Sequence, residues 1–116
     1  MDVTAIAQVC HEANRALQTV INDPVTSPPW EQTPDWQRAC VINGVRKAQQ
    51  GASPEELHAS WCSSMCAEGW VYGPVKDPDH KTHPCLVAFD ELSPEQQAKD
   101  SLLHAVVNAL TEQKET

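Results

Sequence analysis

The side chains best suited to binding chemistry lie in the second half of the chain, where large aromatic rings stand next to turn residues. Trp61, Trp70 and Tyr72 fall within twelve residues of one another, and Gly residues surround the last two. Base–aromatic stacking contributes about 1–3 kcal/mol per base and tolerates any base, because every base has a π-face. These rings therefore predict a surface on which a planar ligand stacks.

A basic segment follows the aromatic set within the same predicted loop. Lys81, Thr82 and His83 are consecutive, and an ammonium, a hydroxyl and an imidazole can together hold phosphate oxygens. Arg15 and Arg46, from the first half of the chain, are further candidates for this role. The predicted site thus combines a stacking surface with groups that bind an anionic edge.

Each of these candidates also has a structural interpretation. The tryptophans could be core residues, and the loop cations could be solvated and neutralised by Asp77 and Asp79. Trp30 and Trp36, near the Pro-rich segment, are interpreted as packing residues or as a second wall of the same pocket.

Metal binding and covalent catalysis receive less support. Cys62, Cys66, His83 and Cys85 could in principle ligate zinc, but no Cys-x2-Cys pair is present and free cysteine is often a small buried hydrophobe. A nucleophilic Cys85 next to His83 lacks a recognisable orienting group, and no glycine-rich phosphate loop occurs. We therefore expect no metal, no cofactor and no enzymatic activity.

Length and charge limit the class of protein. A chain of 116 residues predicts a single domain, and a net charge of −8 argues against a broad DNA- or RNA-binding surface. The sequence has five cysteines, no basic and apolar leader at its start and no run of about 20 apolar residues. These features predict a reduced, cytoplasmic protein that does not contact a membrane.

The elements that must position the candidate residues are mainly helical. Apolar periodicity and capping signals predict four helices, at about residues 3–21, 34–50, 54–67 and 94–111. Thr33 is the expected N-cap of the second, while Ser53 and Ser93 begin capping boxes. Between the third and fourth helices a long loop could contain a two-stranded ribbon, formed by residues 71–72 and 86–89. The predicted fold is a small, mainly α bundle with this functional loop.

The apolar periodicity also predicts which helical positions are buried. The expected faces are Ile6, Cys10, Ala13, Leu17 and Val20 on the first helix; Val41, Ile42, Val45 and Ala48 on the second; Leu57, Trp61 and Met65 on the third; and Ala98, Leu102, Ala105, Val106 and Ala109 on the fourth.

Two ordered motifs resemble those of the RyR domain, the repeat found in tandem in ryanodine receptors and as single-copy proteins of bacteria and phages. The first is Glu-Gly-Trp-Val-Tyr-Gly-Pro at 68–74, and the second is Thr-His-Pro-Cys-Leu-Val at 82–87, followed by Asp-Glu-Leu at 90–92. His58 and Trp61 match the family's preceding His-x-x-Trp helix. The resemblance covers about residues 53–110, so we expect a repeat core at 53–111 and an N-terminal helical extension at 1–52.

The resemblance implies a small helical unit with a short β element, and a nucleotide pocket carried over to Trp61, Trp70, Tyr72, Lys81, His83 and Pro84. Two segments depart from the family pattern. Ala88-Phe89 loses a phenolic hydroxyl, and Lys99-Asp100-Ser101 loses a motif cation, a role that could pass to Arg15 or Arg46. Because RyR repeats associate in pairs, a homodimer or higher homo-oligomer is also implied.

Taken together, the residues and the resemblance predict non-enzymatic binding of a nucleotide or nucleotide-derived signalling molecule. The ligand could be of adenine type, ADP-ribose-like or a cyclic nucleotide. The protein would be a sensor, or a phage-type sequestering protein acting against nucleotide-based defence in the bacterial cytoplasm. Two alternatives stay open: a protein–protein interaction module of a phage or prophage, and a nucleotide-cleaving enzyme with His83 as acid or base.

Overall fold

Four helices form the body of the protein, as predicted. The computed structural model describes residues 1–23 and 26–111, with α1 at Val3–Val20, α2 at Asp35–Gln49, α3 at Pro54–Ala67 and α4 at Pro94–Thr111. Short 3₁₀ turns occupy Trp30–Gln32 and Phe89–Glu91. In the described ranges, no helix has both the length and the apolar character needed to cross a membrane.

The start of α3 follows the predicted cap, whereas the start of α2 does not. Ser53 and Glu56 form the complete capping box of α3, with Pro54 at the first helical position. At α2, the expected cap Thr33 is wrong by one residue. Pro34 takes the cap position in extended backbone, so the helix begins at Asp35. The Thr33 hydroxyl is engaged elsewhere, because it donates to the carbonyl oxygen of Pro29 at 2.9 Å.

The predicted capping box of α4 forms only in part. The Ser93 hydroxyl accepts from the backbone N–H of Gln96 at 3.3 Å. The Gln96 side chain does not return to Ser93, because its oxygen accepts from the thiol of Cys85 at 3.1 Å. The start of α4 is thereby tied to the loop that precedes it.

The core lies where α1, α2 and α4 meet, and its three largest fully buried side chains are Ile6, Val45 and Val107. The predicted face of α2 is confirmed, since Val45 and Ala48 are buried while Val41 and Ile42 pack against them.

The predicted faces of α1 and α4 need correction. Val20 at the end of α1 is 75% exposed. On α4, Ala105 and Ala109 are exposed, and the core contacts come from Leu103, Val106, Val107 and Leu110. The α4 sequence contains two overlapping apolar stripes, and the one with larger side chains is buried because it removes more apolar area from water.

The long loop between α3 and α4 contains a two-residue parallel ribbon rather than the predicted one. β1 is Val71–Tyr72 and β2 is Thr82–His83, with Val71 opposite Thr82 and Tyr72 opposite His83. The prediction of a second strand at 86–89 is wrong, since a 3₁₀ turn begins at Phe89. Parallel pairing requires the chain to reverse twice. The backbone of Asp77 supports this by exchanging hydrogen bonds with Thr82, and Lys81 adopts a left-handed conformation with φ of 56°.

Two glycines give a matched stability test. A Cβ at Gly73 would lie 2.6 Å from the Cβ of Thr82, so Gly73→Ala should push the ribbon apart and lower the free energy of unfolding by about 1–3 kcal/mol. A Cβ at Gly44, inside α2, meets only Leu103 at 3.7 Å, so Gly44→Ala should raise it by about 0.5–1 kcal/mol. Urea unfolding of both variants checks the opposite signs. Equal changes in the free energy of unfolding would show that the ribbon does not depend on the close approach of Gly73 to Thr82.

Candidate functional site

A partly enclosed cavity of about 590 Å³ lies between the four helices and the loop that carries the ribbon. Its size falls within the range of about 300–1,000 Å³ typical of small-molecule sites. Every helix and the loop contribute to its wall, and the residues that could contact a ligand include Trp36, Trp61, Trp70, Lys76, Lys81, His83 and Lys99.

One wall of the cavity is a continuous series of aromatic rings. Trp36 on α2 contacts Trp70, with ring centroids 6.2 Å apart. His83 on β2 lies next to both Trp70, at 6.2 Å, and Trp61, at 5.0 Å in an edge-on arrangement. Trp61 in turn stacks on His58 at 5.6 Å. The wall is thus built from four segments, namely α2, α3, the residue that precedes β1, and β2. The parallel ribbon brings His83 between two of the tryptophans.

The cationic side consists of two inner lysines and one at the rim. Lys99 on α4 forms an ion pair with Asp23 at 2.7 Å, and these two side chains are only 17% and 8% exposed. Lys76 is partly buried, and burial lowers its pKa while the Asp23 carboxylate opposes that shift. Lys81 is exposed, and its ammonium donates to the carbonyl oxygen of Glu68 at 2.8 Å.

His83 is neutral at physiological pH, and its tautomer follows from the hydrogen bonding. Burial lowers the pKa of His83 to about 4, assisted by the positive charges of Lys76 and Lys99. Its Nδ1 accepts from the backbone N–H of Cys85 at 3.1 Å. A neutral imidazole carries one proton, so that proton is on Nε2. His83 is therefore a hydrogen-bond donor in the cavity wall.

His58 behaves in the opposite way. Its Nε2 lies 2.7 Å from the carbonyl oxygen of Val87, and its Nδ1 lies 3.5 Å from the carboxylate of Asp100. Burial acts to lower the pKa of His58, but the hydrogen bonds and charge of these partners outweigh it and raise the pKa overall. With an acceptor at each nitrogen, His58 holds α3 to α4 and to the loop.

Within the described residues, two side-chain polar atoms are buried without a hydrogen-bond partner, namely Asn14 Oδ1 and Trp70 Nε1. Both residues line the cavity. A buried donor or acceptor left unpaired costs about 1–3 kcal/mol, and such a group in a native structure calls for an explanation. A ligand carrying an acceptor atom would give the Trp70 indole its partner.

Nucleophilic and metal chemistry find less support in the same region. Burial raises the pKa of Cys85, and its thiol donates to Gln96, so the reactive thiolate is disfavoured. Across residues 1–23 and 26–111, the structure contains no group of three or more His, Cys, Asp or Glu side chains able to hold a metal ion.

The structure brings four of the eight predicted ligand-binding residues to this cavity: Trp61, Trp70, Lys81 and His83. The other four lie elsewhere. Tyr72 is 58% exposed, Arg46 is exposed on α2, and the Thr82 hydroxyl donates to the carbonyl oxygen of Val75 at 2.8 Å. Arg15 pairs with Glu12 and donates to the carbonyl oxygen of Ser27 at 3.0 Å.

Three cavity residues were absent from the predicted set. Trp36 was assigned either to packing or to a second wall, and the structure places it in the wall. Lys76 belongs to the loop cations, for which both a binding role and a solvated position neutralised by Asp77 and Asp79 were left open. Lys99 marked a departure from the family motif, yet it supplies a cation in the cavity. Its position four residues before the core residue Leu103, on the same face of α4, was a signal available in the sequence.

The two buried histidines give opposite expectations for a pH titration. By long-range ¹H–¹⁵N NMR, His83 should stay neutral as the Nε2–H tautomer until the pH approaches 4, while His58 should gain its proton above pH 6.5. His83 protonates more readily when unfolded, so its contribution to stability is complete above about pH 6.5 and is lost toward pH 4. His83→Gln assigns the resonance. Titration of His83 near pH 6.5 would contradict its buried, donor-only state.

A comparison with protein-family models matches the RyR domain over residues 40–111, from the middle of α2 to the end of α4. Most of the aromatic wall and all three cavity lysines lie within the matched range, which includes Trp61, Trp70, Lys76, His83 and Lys99. Trp36 and Asp23 precede it. Because the matched range exceeds half of the chain, this protein belongs to the RyR domain family.

Proposed function

We propose that the protein binds a nucleotide or nucleotide-derived signalling molecule in this cavity and does not convert it. The observation that carries the proposal is the combination, in one cavity of about 590 Å³, of a continuous aromatic wall and partly buried lysines. A nucleotide requires both features, because its base is flat and apolar on its faces while its phosphates are anionic.

The aromatic wall supports binding of a base. Trp36 and Trp61 are partly buried, so each keeps ring surface available to a ligand, whereas Trp70 is only 7% exposed. Trp70 is therefore suited to supporting the wall and donating its indole N–H, more than to stacking a base on an open face. Stacking on Trp36 or Trp61 is the arrangement that these exposures favour.

The groups next to the wall support binding without turnover. An acid–base catalyst works best with a pKa near the working pH, and the pKa of His83 is lowered to about 4. The Cys85 thiol is held in its protonated form by burial. His58, whose pKa is raised, has one ring nitrogen at Val87 and the other at Asp100, so it is engaged in holding the fold together. Donors next to a wall whose histidines and cysteine are occupied in this way fit a receptor or a sequestering protein.

The biological setting of the proposal comes from the family resemblance. Binding of an adenine-type, ADP-ribose-like or cyclic nucleotide would serve sensing, or sequestration of a messenger used in defence against phages, in the bacterial cytoplasm. Assembly into a homodimer or higher oligomer is part of this proposal. Exposed apolar side chains around the ribbon, at Val71, Tyr72 and Val75, offer a surface for it.

Isothermal titration with adenine and guanine nucleotides, ADP-ribose and cyclic nucleotides tests the proposal. Trp36→Ala should weaken binding by about 1–3 kcal/mol, the energy of one stacked base. Tyr72→Ala, which removes a ring 58% exposed outside the cavity, should leave the affinity within about twofold. Comparing the two variants decides whether the ligand stacks on the aromatic wall of the cavity or on the Tyr72 ring predicted from the sequence.

Two results would count against the proposal. Failure of every nucleotide and nucleoside to bind the folded protein would favour the protein-interaction alternative. Recovery of a cleaved ligand after incubation, with the cleavage lost in His83→Gln, would instead favour the nucleotide-cleaving alternative.

A further inference from the structure

We propose that Asn14 on α1 is a specificity-determining residue of the cavity, and that its side-chain oxygen accepts a hydrogen bond from a neutral N–H or O–H group of the ligand. A ligand that presents an amino or hydroxyl group to α1 is therefore preferred over an analogue lacking that group. This inference rests on the proposed function and specifies what α1 recognises. It gives a binding role to a residue that precedes the range 40–111 matched by the RyR domain.

Asn14 belongs to a row of polar side chains on one face of α1. His11, Asn14 and Gln18 are three and four residues apart, so they project from the same side of the helix. All three line the cavity. The face of α1 that borders the cavity is therefore polar at these positions, and each member of the row requires a hydrogen-bond partner when it is buried.

The two outer members of this row are satisfied within the chain. His11 Nε2 lies 2.7 Å from the carbonyl oxygen of Pro28. Gln18 accepts from the backbone N–H of Ser27 at 2.7 Å and donates to the Ser27 hydroxyl at 3.2 Å. Both side chains thus hold the segment after α1 against the helix. Asn14 lies between them in the row, and its Oδ1 is buried without a partner.

The stability of the free protein does not account for an asparagine at this position. Asn is a poorer helix former than Leu or Ala in a helix interior. A buried acceptor without a hydrogen bond also lowers stability, whereas an apolar side chain of similar shape avoids that loss. A side chain that is unfavourable in the free protein and that borders a cavity of ligand size is explained by a bound partner.

The Asn14 amide can turn toward a ligand donor without losing a contact of its oxygen. The residue as a whole is only partly buried and lines the cavity. The χ2 torsion of Asn is broad, and the oxygen has no hydrogen bond for the rotation to break. Trp70 Nε1, the other unpaired buried atom described on the cavity wall, is a donor. A ligand that partners both atoms carries a donor group and an acceptor atom, which excludes a purely apolar molecule.

Asn14→Leu separates a binding role from a structural one, because it keeps the branched shape and removes the polar atoms. In the ligand-free protein it should raise the urea midpoint of unfolding, since the unpaired acceptor is replaced by an apolar group that also favours helix. It should weaken the tightest-binding nucleotide roughly tenfold. Asn14→Ala gives the same comparison of affinities if Leu is not accommodated. A lower midpoint with unchanged affinity would show a purely structural residue and overturn the inference.

Asn108→Leu is the matched control for this substitution. Asn108 is exposed on α4 and does not line the cavity, so the same chemical change there should leave the affinity within about twofold of wild type. An equal loss of affinity in both variants would show that the effect of Asn14→Leu is not local to the cavity, and would count against the inference.

Matched probes then identify the group that Asn14 recognises, by isothermal titration on the full chain. AMP and GMP each carry an exocyclic amino group that IMP lacks, while the 2′-deoxy and 3′-deoxy forms of AMP each lack one hydroxyl. Wild type should discriminate against one of these analogues roughly tenfold, and Asn14→Leu should abolish that difference. Discrimination against IMP assigns the base amino group, and discrimination against a deoxy form assigns the sugar hydroxyl.

The remaining outcomes distinguish failure of this inference from failure of the proposed function. If nucleotides bind but Asn14→Leu leaves every affinity unchanged, or weakens all probes equally, Asn14 does not recognise a ligand donor and nucleotide binding stands. If none of these probes binds the folded protein, the assignment of Asn14 is overturned. Titration of ADP-ribose and cyclic nucleotides then decides the proposed function separately.

Discussion

The packing of the neutral His83 ring against Trp61 and Trp70 is the contact on which the cavity depends. It joins α3, the segment after α3 and the second strand of the ribbon, which are otherwise separated by a loop with several turn residues. Burial in this position lowers the pKa of His83, and the Cys85 backbone N–H fixes the tautomer. A protonated ring would place a third positive charge beside Lys76 and Lys99. The two lysines and burial thus favour the neutral ring of His83, which is the form that packs in the aromatic wall.

Local signals in the sequence were sufficient to predict the helices. The capping box at Ser53 and the periodicity of α2 depend on residues three or four apart, and both were confirmed by the structure. The errors occurred where two local solutions compete. Thr33 could cap α2 or bond the Pro29 carbonyl, and α4 has two apolar stripes that differ mainly in side-chain size. In such cases tertiary contacts decide, and local periodicity does not report them.

The ribbon and the cavity depend on longer-range contacts, and this explains which site residues were found. Trp70 and His83 were predicted because they lie inside two recognisable motifs, Trp61 because it matches the family's His-x-x-Trp helix, and Lys81 because it directly precedes the second motif. Tyr72 lies inside a motif as well, yet it is 58% exposed, although His83, its partner in the ribbon, is buried. Trp36 and Lys99 reach the cavity from helices distant in sequence, so spacing alone could not group them with the motif residues.

The charge distribution also explains why an acidic protein can be suited to an anionic ligand. The net charge of −8 belongs to the whole chain and favours repulsion of anions at long range. Screening reduces that repulsion beyond about 8–10 Å at ordinary ionic strength, whereas contacts inside the cavity are screened much less. Lys76 and Lys99 act at this short range, where few acids other than Asp23 and Asp100 are present. Long polyanions such as DNA would meet the acidic exterior, while a small phosphate-bearing molecule can pass it and meet the lysines. The proposed nucleotide site is therefore compatible with the acidic charge of the whole chain.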